Sequence, residues 1–83
     1  MKQPALYDRL ALKRDLPSYG LKQGDVATLV DLVPHPTGEA EGLVLEVSNA
    51  LGESLEVVIV TQDDIEPLHA DEVLAVRQLV KSP

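Results

Sequence analysis

Gly42-Leu43-Val44-Leu45-Glu46-Val47 and Leu55-Glu56-Val57-Val58-Ile59-Val60-Thr61 read as the two arms of a β-hairpin. Both runs are built from Leu, Val and Ile, residues that pack well on a pleated, half-buried surface. Between them, Ser48-Asn49-Ala50-Leu51-Gly52-Glu53-Ser54 collects turn-forming side chains, with Gly52 placed to take a left-handed conformation.

Upstream, Val26 to Val33 is a third strand. Val26, Thr28, Val30 and Leu32 share one face of it, and Ala27, Leu29, Asp31 and Val33 the other. Arg9-Leu10-Ala11-Leu12-Lys13 alternates in the same way, with Leu10 and Leu12 together. Pro17 and Gly20 break the loop from Arg14 to Gly20, and Gly24 suits a positive φ in the turn Leu21-Lys22-Gln23-Gly24-Asp25. Pro34 and Pro36 exclude a strand interior over Pro34 to Glu41, which reads as an exposed loop. After the hairpin, Gln62-Asp63-Asp64 reads as a short turn capped by Asp63 or Asp64, and Ile65-Glu66-Pro67-Leu68 as a closing strand. In the tail, Val73, Val76, Leu79 and Val80 fall on one helical face, with Asp71 as cap and Arg77 and Lys81 near the end. This spacing predicts a short C-terminal helix, although the valines equally suit a strand. The fold class is therefore all-β: a small SH3-like barrel of about five short strands, possessing at most one short helix. All 83 residues form one domain, with a core over about residues 9–68 and an extension over 69–83.

Apolar residues make up 45% of the chain, which argues for a folded domain. Phe and Trp are absent, and Tyr7 and Tyr19 are the only aromatics, so neither a stacking platform nor an aromatic peptide groove can be assembled. Absence of Cys excludes disulfides and thiolate chemistry and fits a cytoplasmic protein. The longest apolar run, Val57 to Val60, is far too short to span a bilayer. Of the charges, Lys2, Arg9, Lys13, Arg14 and Lys22 cluster at the start. From Gln23 to Val76 there is no Lys or Arg against twelve acidic residues, and the net charge is −7. Phosphate backbones should be repelled by most of such a surface.

Arg14-Asp15-Leu16-Pro17-Ser18-Tyr19-Gly20-Leu21-Lys22-Gln23-Gly24-Asp25-Val26, followed by the hairpin and Thr61-Gln62-Asp63-Asp64-Ile65-Glu66-Pro67-Leu68, resembles a family of small bacterial proteins catalogued as domain of unknown function 4926. The resemblance runs from about Leu10 to Leu68 and implies an SH3-like barrel. It brings no activity, ligand or catalytic residue with it. Two further likenesses fail on composition. Ala5-Leu6-Tyr7-Asp8 looks like the opening of a eukaryotic SH3 domain, but the aromatics that grip polyproline are missing downstream. Leu21 to Val26 looks like the entry to a KOW-type RNA-binding barrel, but no basic loops follow.

His35 and His69 are the only imidazoles. His69 lies among Asp63, Asp64, Glu66, Asp71 and Glu72, yet the spacing matches neither an EF-hand nor a helical His pair. No nucleophile elbow or phosphate-cradling glycine pattern occurs. The expectation is no enzymatic activity, no cofactor and no metal. Leu16, Pro17 and Tyr19 on the first long loop have the composition of a contact patch, although Tyr19 could instead fold back over the barrel end. Strand alternation predicts Asp31, Glu46 and Glu56 pointing outward on three strands, where they would form an acidic face. The function expected from these features is binding of a basic protein partner. A small-ligand or metal-ion domain using the 63–72 acid cluster is the alternative, and a nucleic-acid-binding barrel ranks behind both.

Overall fold

The computed structural model describes residues 4–34 and 41–80. His35 and Glu39, assigned above to an exposed loop, lie outside the described residues. Five antiparallel strands form one sheet: β1 (Arg9–Leu12), β2 (Val26–Val33), β3 (Gly42–Ser48), β4 (Ser54–Val60) and β5 (Ile65–Pro67), in the spatial order β4-β3-β2-β1-β5. Two single 3-10 turns, Pro17–Tyr19 and Gln62–Asp64, are the only helical geometry among the described residues. This all-β arrangement is compatible with a small SH3-like barrel.

Core residues are fixed by cross-strand pairing, because directly opposed residues project to the same side of a sheet. Leu45 is paired with Leu29 and Val58, Leu43 with Leu32 and Val60, Leu10 with Ala27, and Leu12 with Ile65. All of these except Leu32 are buried, and Leu32 packs against the rest. Burying an aliphatic side chain of this size contributes roughly 1.5–3 kcal/mol. A purely aliphatic interior therefore suffices without Phe or Trp. The opposite side of the sheet carries the rows Arg9–Thr28–Glu46–Val57 and Asp31–Val44–Ile59, with Ala11 between Val26 and Glu66.

Two register shifts shape these faces, one in β2 and one between Val47 and Ser48 that leaves Leu55 as an extra residue in β4. The register of β2 against β3 shifts between Leu29 and Asp31, which leaves Val30 as an extra residue. Leu29 and Leu32 consequently both face inward although three positions apart, and Ala27, not Val26 or Thr28, shares their side. The hairpin loop is held by Asn49. Its side-chain oxygen accepts from the Leu51 and Glu53 N–H groups, each at 2.9 Å, and its amide donates to Glu53 at 2.9 Å. Gly52 closes the loop at φ 86°, in the left-handed region that favours glycine.

Residues 72–80 contain neither helix nor strand. The helix expected there is therefore corrected. Val73 and Val76 are 91% and 93% exposed, whereas Leu79 packs against the core. So short a segment is marginal as an isolated helix, and β-branched valines weaken it further. What holds the tail is its attachment at Arg77 and Leu79.

Candidate functional site

The turn from Gly20 to Asp25 is the most heavily hydrogen-bonded piece of loop in the molecule's described part. Leu16 and Leu21 bridge their backbones, with bonds of 2.9 and 3.1 Å, and this closes the loop around the 3-10 turn. Gly20 (φ 71°) and Gly24 (φ 92°) supply the left-handed positions at its two bends. The Asp25 carboxylate accepts the Lys22 N–H at 2.8 Å, and Asp15 accepts the Gln23 N–H at 2.8 Å. The backbone of Leu12 then pairs with Gly24 and Asp25 and locks the turn to the end of β1.

Onto this turn comes Arg77, 52 positions further along the chain. Its Nε donates to Asp25 Oδ1 at 2.9 Å, one Nη donates to Asp25 Oδ2, and the same Nη reaches the Gly20 carbonyl at 3.1 Å. A guanidinium fork on a carboxylate is the geometry that arginine, and not lysine, provides. Burial raises the pKa of Asp25. The Arg77 and Lys22 hydrogen bonds and the positive charges of both residues outweigh it, so the carboxyl lies below its ordinary value. The hydrogen bond to Asp25 raises Arg77 in turn.

The attached tail forms one wall of an open groove of about 850 Å³. Outer-side residues of the sheet, Arg9, Ala11, Val26, Thr28 and Glu46, line it. The groove thus joins a sheet surface of Ala11, Val26 and Thr28, with one cation at Arg9, to the acidic anchor at Asp25.

The residues singled out from sequence distribute differently from expectation. Leu16 and Tyr19 are half-buried and pack against the core cluster. Pro17 is exposed at the start of the 3-10 turn. Asp31 and Glu46 do lie on the outer side of the sheet, in neighbouring rows. Glu56 does not join them: it is half-buried and paired with Val47, on the core side. Leu55 and Val57, expected inside, are exposed. The physical reason is that β4 carries aliphatics on both of its faces, so Glu56 alone cannot set its parity, and the pairing of Val58 with Leu45 does. The acidic face over three strands is thereby reduced to two.

The acid cluster at 63–72 is spread over separate structural tasks. Asp64 closes a capping box with Thr61 and pairs with Arg14 at 2.9 Å. Glu72 accepts the His69 N–H. Among the described residues no three His, Cys, Asp or Glu side chains come together in a metal-holding group. No polar or charged side chain among them is buried. No helix among them is long and apolar enough to cross a membrane.

Sequence reasoning missed the Asp25–Arg77 link and the exposed aliphatics of β4. Arg77 does stand out in the sequence, as the first cation after Lys22. Its partner is not legible, because twelve acidic residues in between compete equally for it.

The model of the family described as "Domain of unknown function (DUF4926)" matches residues 6–67. The chain belongs to this family. The match covers the five strands of the DUF4926 domain and the Gly20–Asp25 turn and stops before the tail, so Asp25 lies inside the family region and Arg77 outside it. No curated protein and no solved structure matches the chain.

Proposed function

We propose that this DUF4926 protein is a non-enzymatic, cytoplasmic interaction module that binds a basic, aliphatic segment of a partner protein in the groove beside Asp25. The observation that carries this reading is the seating of Arg77. The chain's own tail places a guanidinium on Asp25 and the Gly20 carbonyl, with Leu79 two residues on packed against the core. A partner segment with an arginine and an aliphatic residue at that spacing would meet the same groups. The long cation-free stretch from Gln23 to Val76 favours approach of such a segment over approach of nucleic acid. The scattered roles of Asp64 and Glu72 lend no support to the alternative of a metal-ion domain.

The test uses the full chain carrying Arg77→Ala, which frees the carboxylate, and a fluorescent peptide of the sequence Glu-Val-Leu-Ala-Val-Arg-Gln-Leu-Val-Lys (residues 72–81). Anisotropy should show saturable binding that weakens with salt, and at least ~10-fold weaker binding to the wild-type chain, whose Asp25 carboxylate already holds Arg77. Adding Asp25→Asn should abolish it. Equal binding of a peptide in which Arg is replaced by Ala would refute the reading.

A further inference from the structure

We infer that the Asp25 carboxylate and the Gly20 carbonyl together select arginine over lysine, so that the groove takes an Arg-x-Leu segment and refuses the same segment with an ammonium in place of the guanidinium. The inference deepens the reading given above and rests on it for the segment that binds from another protein. Its physical basis lies within the chain. Four of the five N–H donors of Arg77 are engaged. Nε donates to Asp25 Oδ1 at 2.9 Å. One Nη donates to Asp25 Oδ2 and also to the Gly20 carbonyl, the second bond at 3.1 Å. The other Nη donates to the carbonyl of Gln78, the next residue of the tail, at 3.0 Å. The guanidinium thus meets a carboxylate along one edge and a backbone carbonyl at the corner of that edge.

Both acceptors are fixed by local structure. Gly20 closes the single 3-10 turn at φ 71°, with its N–H on the Pro17 carbonyl at 3.1 Å, in a conformation that favours glycine. The Leu16–Leu21 bridge holds the chain on either side of it. Asp25 is held by the Lys22 N–H at 2.8 Å. Neither group depends on Arg77 for these bonds, so the pair is arranged before an arginine arrives, and binding spends little on ordering it.

Lysine does not reproduce the arrangement. Its side chain ends at Nζ, where arginine has Cζ, one atom short of the Nη that spans Asp25 Oδ2 and the Gly20 carbonyl. An ammonium seated on the carboxylate leaves the carbonyl unpartnered, and one drawn to the carbonyl gives up a carboxylate oxygen. It is also more strongly hydrated than a guanidinium and loses more on leaving water. The rest of the determinant is read from the tail. Val73, Val76 and Val80 are exposed, whereas Leu79 packs against the core, so Arg77 and Leu79 are the two side chains that count.

Two measurements test the inference, one within the chain and one between chains. In the full chain, Arg77→Lys should loosen the tail as far as Arg77→Ala does: backbone N–H order parameters of residues 77–79, about 0.8 in the wild type, should fall below about 0.6 in both variants. A lysine variant as rigid as the wild type overturns the inference, whether or not any peptide binds. Between chains, the Arg77→Ala chain is titrated with the fluorescent peptide of residues 72–81 and with its altered forms. The Arg77→Lys and Leu79→Ala peptides should bind at least ~10-fold more weakly, and the Val76→Ala peptide within ~2-fold of the parent. A peptide with symmetric dimethylarginine at position 77 keeps the charge but carries a methyl on each Nη, which leaves too few hydrogens for both Asp25 Oδ2 and the Gly20 carbonyl. It too should bind at least ~10-fold more weakly. Equal affinity of the lysine or the dimethylarginine peptide overturns the selection by Gly20 and Asp25. Absence of binding by every peptide, with the tail loosened in Arg77→Lys, refutes the partner reading and upholds the preference for arginine.

Discussion

Replacing Asp25 with alanine should both loosen the turn beneath β1 and release the tail, and the two effects can be separated. Asp25 accepts one backbone N–H, from Lys22 at 2.8 Å, and the fork of Arg77, with Nε at 2.9 Å. Its side chain is only 18% exposed, so water replaces these partners incompletely when they are lost. A hydrogen bond to a charged group contributes about 1.5–3 kcal/mol, and an exposed ion pair contributes little beyond that. We expect Asp25→Ala to cost about 2 kcal/mol, a fall in Tm of roughly 8–16 °C for a domain of this size. Asp25→Asn keeps an acceptor for Lys22 and should cost less than half as much, while still releasing the tail. Arg77→Ala should free residues 72–80 and leave the turn intact. Thermal denaturation gives the global effect, and amide exchange of 72–80 gives the local one. If Arg77→Ala lowers Tm as far as Asp25→Ala does, Asp25 works only through the tail, and the separate role assigned to it in the turn is wrong.

Acid should act through the same carboxylate. Because the Asp25 pKa is lowered in the folded chain, its contribution is present above the unfolded value of about 3.9 and is lost as pH falls through the lower folded value. Acid unfolding below about pH 4 should therefore be shallower in Asp25→Asn than in the wild type, followed by circular dichroism; identical acid limbs would exclude Asp25 as a contributor. In the hairpin, Asn49→Ala removes the acceptor of two N–H groups and should cost about 1–2 kcal/mol by chemical denaturation, while Asn49→Asp, which keeps that acceptor, should recover most of the loss. An Asp variant as unstable as the Ala variant would shift the weight to the amide bond with Glu53.

The sequence by itself determined which segments become strands and where the chain turns. Alternating or continuous Leu and Val runs between Pro, Gly and Asn can satisfy their backbones and bury their side chains in few other ways. Gly24 and Gly52 mark positive-φ turns that are equally local, since only the residue's own Cβ decides them. The family likeness, too, rests on contiguous residues. The side of the sheet to which β4 turns each residue is not local. Aliphatics occupy both of its faces, and pairing with β3 decides that Val58 and Val60 go in while Val57 and Ile59 stay out. The bulge in β2, which lets Leu29 and Leu32 share the core, likewise exists only against its partner strand. In the tail, local periodicity favoured a helix, but one guanidinium fork on Asp25 and one leucine against the core outweigh the small preference of so few residues. Nothing in the order of residues singles out Asp25 among the acids; only folding brings it, the Gly20 carbonyl and Arg77 to one place, because the partners of a charge are set by distance in space and not along the chain.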